Sequence, residues 1–129
     1  MSDFTPAQAA ARSGFSLDTL RYYEREGILE PIARTAGGRR TYSEGDLAWL
    51  ELVRCLRDTG MPVAELKRYA ELCQDDTTVP ERIDMLQQHD AKVREQIAEL
   101  DAQRERIAHK LDYYRSLPVE SSELQGAPA

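Results

Sequence analysis

Cysteine is scarce in this 129-residue chain: Cys55 and Cys73 are the only two. They are too few and too far apart to frame a disulfide scaffold or a paired-thiol metal site, and a reducing compartment keeps both as thiols. Long apolar runs are missing as well. Nothing approaches the ~20 consecutive residues that cross a bilayer. The opening Met1-Ser2-Asp3-Phe4-Thr5-Pro6 lacks the basic start and apolar stretch of a signal peptide. The expectation is a cytoplasmic protein with no membrane partner. No Ser/His/Asp set, phosphate loop or metal cluster is visible, so neither an enzyme nor a bound metal or cofactor is expected. At roughly 150 residues per domain, the length allows one domain plus at most an appendage.

Basic charge is also in short supply. Seventeen Lys and Arg face 23 Asp and Glu, for a net charge of −6. As a total, that argues against nucleic acid, because a domain that neutralises phosphates is expected to be basic. The distribution says otherwise. Residues 12–40 hold Arg12, Arg21, Arg25, Arg34, Arg39 and Arg40 against Asp18, Glu24, Glu26 and Glu30, a surplus of +2 that leaves −8 on the rest. Every basic residue in that window is arginine, whose planar fork suits phosphate oxygens and guanine edges.

Helix signals are dense. Thr5, Pro6 and Gln8 form a start signal and Gly14 a stop. Ser16 caps a second helix that runs to Gly27. Only Ser13-Gly14-Phe15 separates the two, which predicts a helix-turn-helix. On the second helix Leu17, Leu20 and either Tyr23 or Glu24 share one side, with Tyr23 assigned to the core. Asp18, Arg21, Tyr22 and Arg25 recur at i, i+3, i+4, i+7 on another side. Ile32-Ala33-Arg34 and Arg40-Thr41-Tyr42 flank Ala36-Gly37-Gly38, a short hairpin that reads as a wing. Ser43 with Asp46 starts a third helix, about 44–58, and Pro62 a fourth that ends near Cys73. Trp49, Leu52, Val53, Leu56, Met61, Leu66 and Tyr69 supply the apolar surface that closes a small core.

Thr78 with Glu81 reads as a capping box for the longest helix, about 81–116, some 50 Å at roughly 1.5 Å per residue. With Ile83 at heptad position a and Leu86 at d, the a positions are Ile83, Asp90, Ile97, Arg104 and Leu111. The d positions are Leu86, Val93, Leu100, Ile107 and Tyr114. Eight of these ten are apolar, a seam that requires a second chain. An antiparallel pair with Ile83 opposite Tyr114 of the partner subunit puts Asp90 within reach of Arg104 of the partner subunit. A parallel in-register pair stacks like charges instead. The other reading of Asp90 and Arg104 is that both simply reach water.

The expected fold is therefore mainly α. A winged helix-turn-helix DNA-binding domain with a helix-pair extension (1–74) is followed by a linker (75–80), a long antiparallel dimerisation coiled-coil helix (81–116) and a flexible tail (117–129). The stretches Ser16-Leu17-Asp18-Thr19-Leu20-Arg21-Tyr22-Tyr23-Glu24-Arg25-Glu26-Gly27-Ile28-Leu29, Gly38-Arg39-Arg40-Thr41-Tyr42 and Leu56-Arg57-Asp58-Thr59-Gly60-Met61-Pro62 resemble the N-terminal half of the MerR family of bacterial transcription regulators. The resemblance covers about residues 4–72 motif by motif and the remainder by architecture. It implies a homodimer on a pseudo-palindromic stretch of double-stranded promoter DNA. The effector-bound dimer bends and untwists that spacer, so RNA polymerase is engaged indirectly, through the DNA.

Arg21 and Tyr22 match the family's recognition-helix positions, and Arg40 and Tyr42 its wing positions. Arg39 is a departure, because an aromatic or aliphatic residue is common there. The candidate DNA contacts are Ser16, Asp18, Thr19, Arg21, Tyr22, Arg25, Arg34, Arg39, Arg40, Tyr42 and Lys67. Asp18 offers either an acceptor for a cytosine amino group or a cap at the helix start, and Lys67 either a phosphate contact or a solvated surface charge.

Sensing is less defined. The metal-sensing members place cysteines near the start of the dimerisation helix and in a C-terminal loop. This chain has Thr78-Val79-Pro80 at the first place and no cysteine after Cys73, so that arrangement is not expected. His89 and His109 are assigned to the surface. Cys55, in Arg54-Cys55-Leu56-Arg57-Asp58-Thr59-Gly60-Met61, is similar to the branch that responds to aldehydes and other electrophiles through one cysteine. Arg54 and Arg57 would favour its thiolate. The alternative is a small buried hydrophobe between the third and fourth helices, with Cys73 a weaker candidate for sensing. A small molecule held without thiol chemistry between coil and helix pair is a further alternative, and a coiled-coil interaction module without specific DNA binding is another.

Overall fold

A computed structural model of the chain describes residues 3–118. The order is β1 (Asp3–Phe4), α1 (Pro6–Ser13), α2 (Leu17–Arg25), β2 (Tyr42–Ser43), α3 (Glu44–Asp58), α4 (Val63–Cys73), a 3-10 turn at Asp76–Thr78 and α5 (Val79–Arg115). The chain divides into two compact units after His89.

Local chemistry sets the early boundaries. Thr5 and Gln8 exchange side-chain and backbone hydrogen bonds at 2.9 and 3.1 Å, a complete capping box with Pro6 in the first turn. Ser43 and Asp46 repeat the device at α3, at 2.9 and 3.0 Å. Ser16 caps α2 by accepting from the Thr19 N–H at 3.1 Å. The α1–α2 turn depends on Gly14, whose φ is +80°. A Cβ there would also sit 2.1 Å from an Arg54 guanidinium nitrogen, which that long side chain can relieve by moving, so the positive φ is what selects glycine at position 14.

The core of the first unit joins Ala9, Leu20, Tyr23, Ile28, Leu29, Ile32, Tyr42, Leu47, Leu50, Val53, Leu56, Met61, Leu66 and Tyr69. Each fully buried Leu contributes about 1.5–3 kcal/mol relative to exposure, so this cluster is what holds the short helices together. Trp49 and Leu52 are only half-buried against it. Trp49 stacks on Tyr69 at 5.9 Å and donates its indole N–H to the Ile28 carbonyl at 2.8 Å. That bond ties the loop after α2 to α3.

The hairpin forms with one bridge, Arg34 to Arg40, supported by Thr35 N–H to Arg39 O at 2.7 Å and Thr41 N–H to Ala33 O at 2.9 Å. Its returning arm continues into β2, which pairs antiparallel with β1 in the register Asp3–Ser43 and Phe4–Tyr42. The hairpin is thus anchored on the N-terminal segment, a pairing that no local signal announces.

Three sequence-based expectations are corrected here. Thr78 does not cap the long helix: its hydroxyl donates to Leu72 O and to Asp75 O and accepts from Arg82 Nε. The helix starts two residues earlier than expected, at Val79. His89 is buried rather than on the surface, its Nε2 2.7 Å from the Thr59 hydroxyl. Thr59 in turn donates to Cys55 O at 2.7 Å, closing the end of α3. The expected tail lies, beyond Pro118, outside the described residues.

In the second unit α5 continues as uninterrupted helix to Arg115. Ile97, Leu100, Ile107 and Leu111 are all exposed along it, as is Ile83 in the first unit. Val93 and Tyr114 are half-buried, and Leu86, in the first unit, packs partly on the core. Asp90 pairs with Arg94 of its own helix at 3.0 Å, and Arg104 is exposed.

Candidate nucleic-acid interface

The helix-turn-helix presents the outer face of α2. Leu20 and Tyr23 turn inward and are buried, with Tyr23 edge-on to Phe15 at 5.2 Å. The opposite residues are open. Arg21 is half-exposed and holds a 3.2 Å contact with Asp18. Tyr22 is exposed, with the Arg25 guanidinium 6.0 Å from its ring centroid. Ser16 and Thr19 are joined by a 2.9 Å hydroxyl–hydroxyl bond at the start of the same helix. Asp18 is therefore not the cap; Ser16 is, and Asp18 orients Arg21 instead. An ion pair this exposed is easily exchanged for a phosphate or a base edge, since such pairs contribute only about 0–1 kcal/mol.

The hairpin supplies the second wall. Arg34 donates to its own tip at Gly38 O, at 2.8 Å. Arg40 is held inward, its Nε donating to Glu24 Oε1 at 2.9 Å, while Glu24 Oε2 accepts the Ile32 N–H at 3.0 Å. One carboxylate on α2 thus clamps both arms of the hairpin. Arg21, Arg34, Arg39 and Arg40 line a depression of about 350 Å³ together with Pro6, Leu17, Gly38 and Tyr42. Four arginines from two elements converge on one concave surface, which is what polyanion binding requires. Arg25 lies outside that lining.

Tyr42 is a correction as an exposed wing contact. It is only 1% exposed and belongs to the core, reaching the depression solely as part of its floor. Burial, reinforced by the Glu24 carboxylate and opposed by Arg40, pushes its phenol above the ordinary value of 10.0. It stays a neutral hydrogen-bonding group under ordinary conditions. Lys67 is part-exposed and its ammonium pairs with Glu26, just past the end of α2, at 3.2 Å. Leu17, expected on the packing side, is exposed and lines the depression. Glu24 was missed as a functional residue. Its sequence signal is only an acid one turn beyond Leu20, and its role exists only once the hairpin returns to it.

Cys55 is exposed on α3, which overturns the buried-packing reading. The neighbouring arginines do not serve it. Arg54 pairs with Asp58 at 2.8 Å and lies 5.6 Å from the Phe15 ring, and Arg57 donates to Met61 O at 2.6 Å. Cys73 is half-buried beside Tyr69, whose phenol is pushed upward by burial and then by the thiol. Among the described residues no group of three or more His, Cys, Asp or Glu is placed to hold a metal ion, and no helix is long and apolar enough to cross a membrane.

Comparison with known proteins agrees with this geometry. The family of MerR HTH regulatory proteins matches residues 4–73, and the MerR DNA-binding family matches residues 47–110. An uncharacterized HTH-type transcriptional regulator of Haemophilus influenzae is 38% identical over 113 residues, covering 87% of this chain and 84% of its own length. The regulator AdhR of Bacillus subtilis is 40% identical over 81 residues, 62% of this chain and 58% of that protein. Among solved structures, HiNmlR, a MerR family regulator lacking the sensor domain and bound to promoter DNA, superposes with a TM-score of 0.79 at 37% identity. It covers 88% of this chain and 91% of its own. A MerR family regulator from Listeria monocytogenes gives 0.81 at 30% identity over 88% and 86%. Fold and site together define a winged helix-turn-helix DNA-binding regulator of transcription. The chain belongs to the MerR family.

Proposed function

We propose that the protein binds a pseudo-palindromic promoter spacer in double-stranded DNA as a homodimer, and activates transcription by bending and untwisting that spacer so that RNA polymerase meets aligned promoter elements. The observation that carries this reading is the depression where Arg21, Arg34, Arg39 and Arg40 converge between α2 and the hairpin. A helix and a wing side by side suit a major groove and the flanking backbone. HiNmlR, similar over most of its length, is bound to promoter DNA. Support for the dimer comes from the exposed Ile97, Leu100, Ile107 and Leu111, spaced as a heptad seam. An antiparallel pairing also brings the opposite charges of Asp90 and Arg104 near each other.

Fluorescence anisotropy on the operator and on random duplex, each across a salt series, tests the DNA reading. Arg21→Ala is expected to cost ~1–3 kcal/mol on the operator and to blur one base pair, whereas Arg39→Ala weakens both duplexes alike and lowers the salt slope by about 1. Equal losses on both duplexes for Arg21→Ala would remove it as a base reader.

Exposure of the Cys55 thiol favours a second element of the reading, an electrophile trigger. The thiol gives its proton to solvent, the thiolate sulfur bonds the aldehyde carbon, and the displaced C=O electron pair on oxygen takes a proton from solvent. Promoter activation by formaldehyde that survives Cys55→Ser unchanged would eliminate it.

A further inference from the structure

The first unit carries a second cavity of opposite character, about 390 Å³ in volume, within the size range of small-molecule sites. It is lined by the loop after α2 (Ile28, Leu29, Glu30), the start of α3 (Ser43, Asp46, Trp49) and the end of α4 (Cys73, Gln74). No lysine, arginine or histidine lines it, while two carboxylates, Glu30 and Asp46, do. The α3 N-terminus would ordinarily attract an anion. Here the capping box already occupies the Ser43 and Asp46 N–H groups. Asp46 engages Ser43 N–H through Oδ2 and itself lines the cavity. Trp49 gives its one N–H to Ile28 O, so it offers the cavity an aromatic surface and no donor.

We propose that this cavity binds a small organic cation with an apolar or aromatic body, the charge facing Glu30 and Asp46 and the body against Trp49, Ile28 and Leu29. Carboxylates and an indole surface attract a cation together, the second through the ring quadrupole. Gln74 and the Gly45 N–H add donors to the lining, but no cationic side chain does, so an anion finds no counter-charge there. The site has a route to the DNA side: adjacent residues of a strand point to opposite faces, and Ser43 lines this cavity while Tyr42 lines the arginine depression. Occupancy acts on the strand that forms the base of the wing. Only this link depends on the DNA-binding reading.

Trp49 is the sole tryptophan, so the full-length protein reports on its own cavity. Benzyltrimethylammonium is expected to change Trp49 emission saturably at millimolar concentrations, while benzoate, with the same ring and the opposite charge, does not. Glu30→Gln is expected to raise the dissociation constant about 2–5-fold, as for one partly exposed ion pair. Glu30→Lys raises it further. A linear, unsaturable response, equal binding of benzoate, or an affinity unmoved by Glu30→Lys would overturn the site. With operator DNA present, the probe is expected to shift DNA affinity. Saturable binding without that shift keeps the site and removes the link to the wing.

Discussion

The two ends of the chain solve the problem of apolar surface in opposite ways. In the head, short helices of 8–15 residues bury their leucines against one another, and Leu20, Leu50 and Leu66 are wholly enclosed. The 37-residue α5, about 55 Å long at 1.5 Å per residue, carries comparable residues in the open: Ile107 is 62% exposed and Leu100 60%. A contiguous apolar stripe of that kind marks an interaction surface. The head encloses its apolar side chains within one chain, whereas those of α5 stay exposed and would be covered only in the proposed dimer.

Truncation inside each region gives the largest contrast. Leu20→Ala, at a position with no exposure, is expected to lower the stability of the head by about 2–5 kcal/mol, read as a shift of the denaturant midpoint that is independent of protein concentration. Ile107→Ala is expected to leave the concentration-independent part unchanged and to weaken self-association in analytical ultracentrifugation. If Ile107→Ala destabilised the monomer as Leu20→Ala does, the division between a self-sufficient head and a partner-dependent helix would fail.

Glu24 is the point where the head's own stability and its DNA surface meet. Glu24→Ala removes the acceptor of both Arg40 Nε and Ile32 N–H, and two charge-assisted bonds at a half-buried site suggest a loss of about 1–3 kcal/mol. Hydrogen exchange at the Ile32 amide should accelerate, and DNA affinity should fall although no contact residue has changed. Glu24→Gln, which keeps one acceptor oxygen, should recover part of the amide protection. Unchanged exchange at Ile32 in both variants would show that the hairpin holds its place without Glu24.

What was legible in the sequence divides along the same line between local and distant contacts. The caps at Thr5 and Ser43, the Gly14 stop and the α3 boundaries follow from residues within four positions of one another, and local hydrogen bonding realises each of them. The failures at His89 and Tyr42 involve distant partners, and the one at Thr78 a competing local turn. Thr78 has the spacing of a capping residue, but its hydroxyl turns back to Leu72 O and Asp75 O. His89 sits among polar neighbours in the sequence, and only the approach of Thr59, thirty residues away, makes it a buried residue. Tyr42 has the composition of a wing contact; the β1–β2 pairing and the packing around it draw it into the core. The arginines Arg21, Arg34, Arg39 and Arg40 were all identified singly, but that they share one depression depends on the hairpin's return to α2. Cys55 shows the limit from the other side: its flanking arginines are adjacent in sequence yet engage Asp58 and Met61.

The smallest expected effect concerns pH and again belongs to the head. Tyr42 and Tyr69 both have phenols raised above 10.0, in each case chiefly by burial. A group whose folded pKa exceeds its unfolded one contributes stability that is fully present below the unfolded value and is lost as the pH rises through the folded value. The head should therefore keep its stability up to about the ordinary tyrosine range and lose it progressively above. Deprotonation would place a phenolate at Tyr42 against Glu24 and Asp46, the two carboxylates that already disfavour it. Tyr42→Phe lowers stability at neutral pH if the hydroxyl's contacts in the floor of the depression matter, but it flattens the alkaline slope. Tyr69→Phe flattens it separately, since its thiol neighbour Cys73 is on α4. Denaturant melts from neutral to strongly alkaline pH measure both slopes. An alkaline slope unchanged in the double variant would assign the loss to other groups and remove the buried phenols from the account of the head.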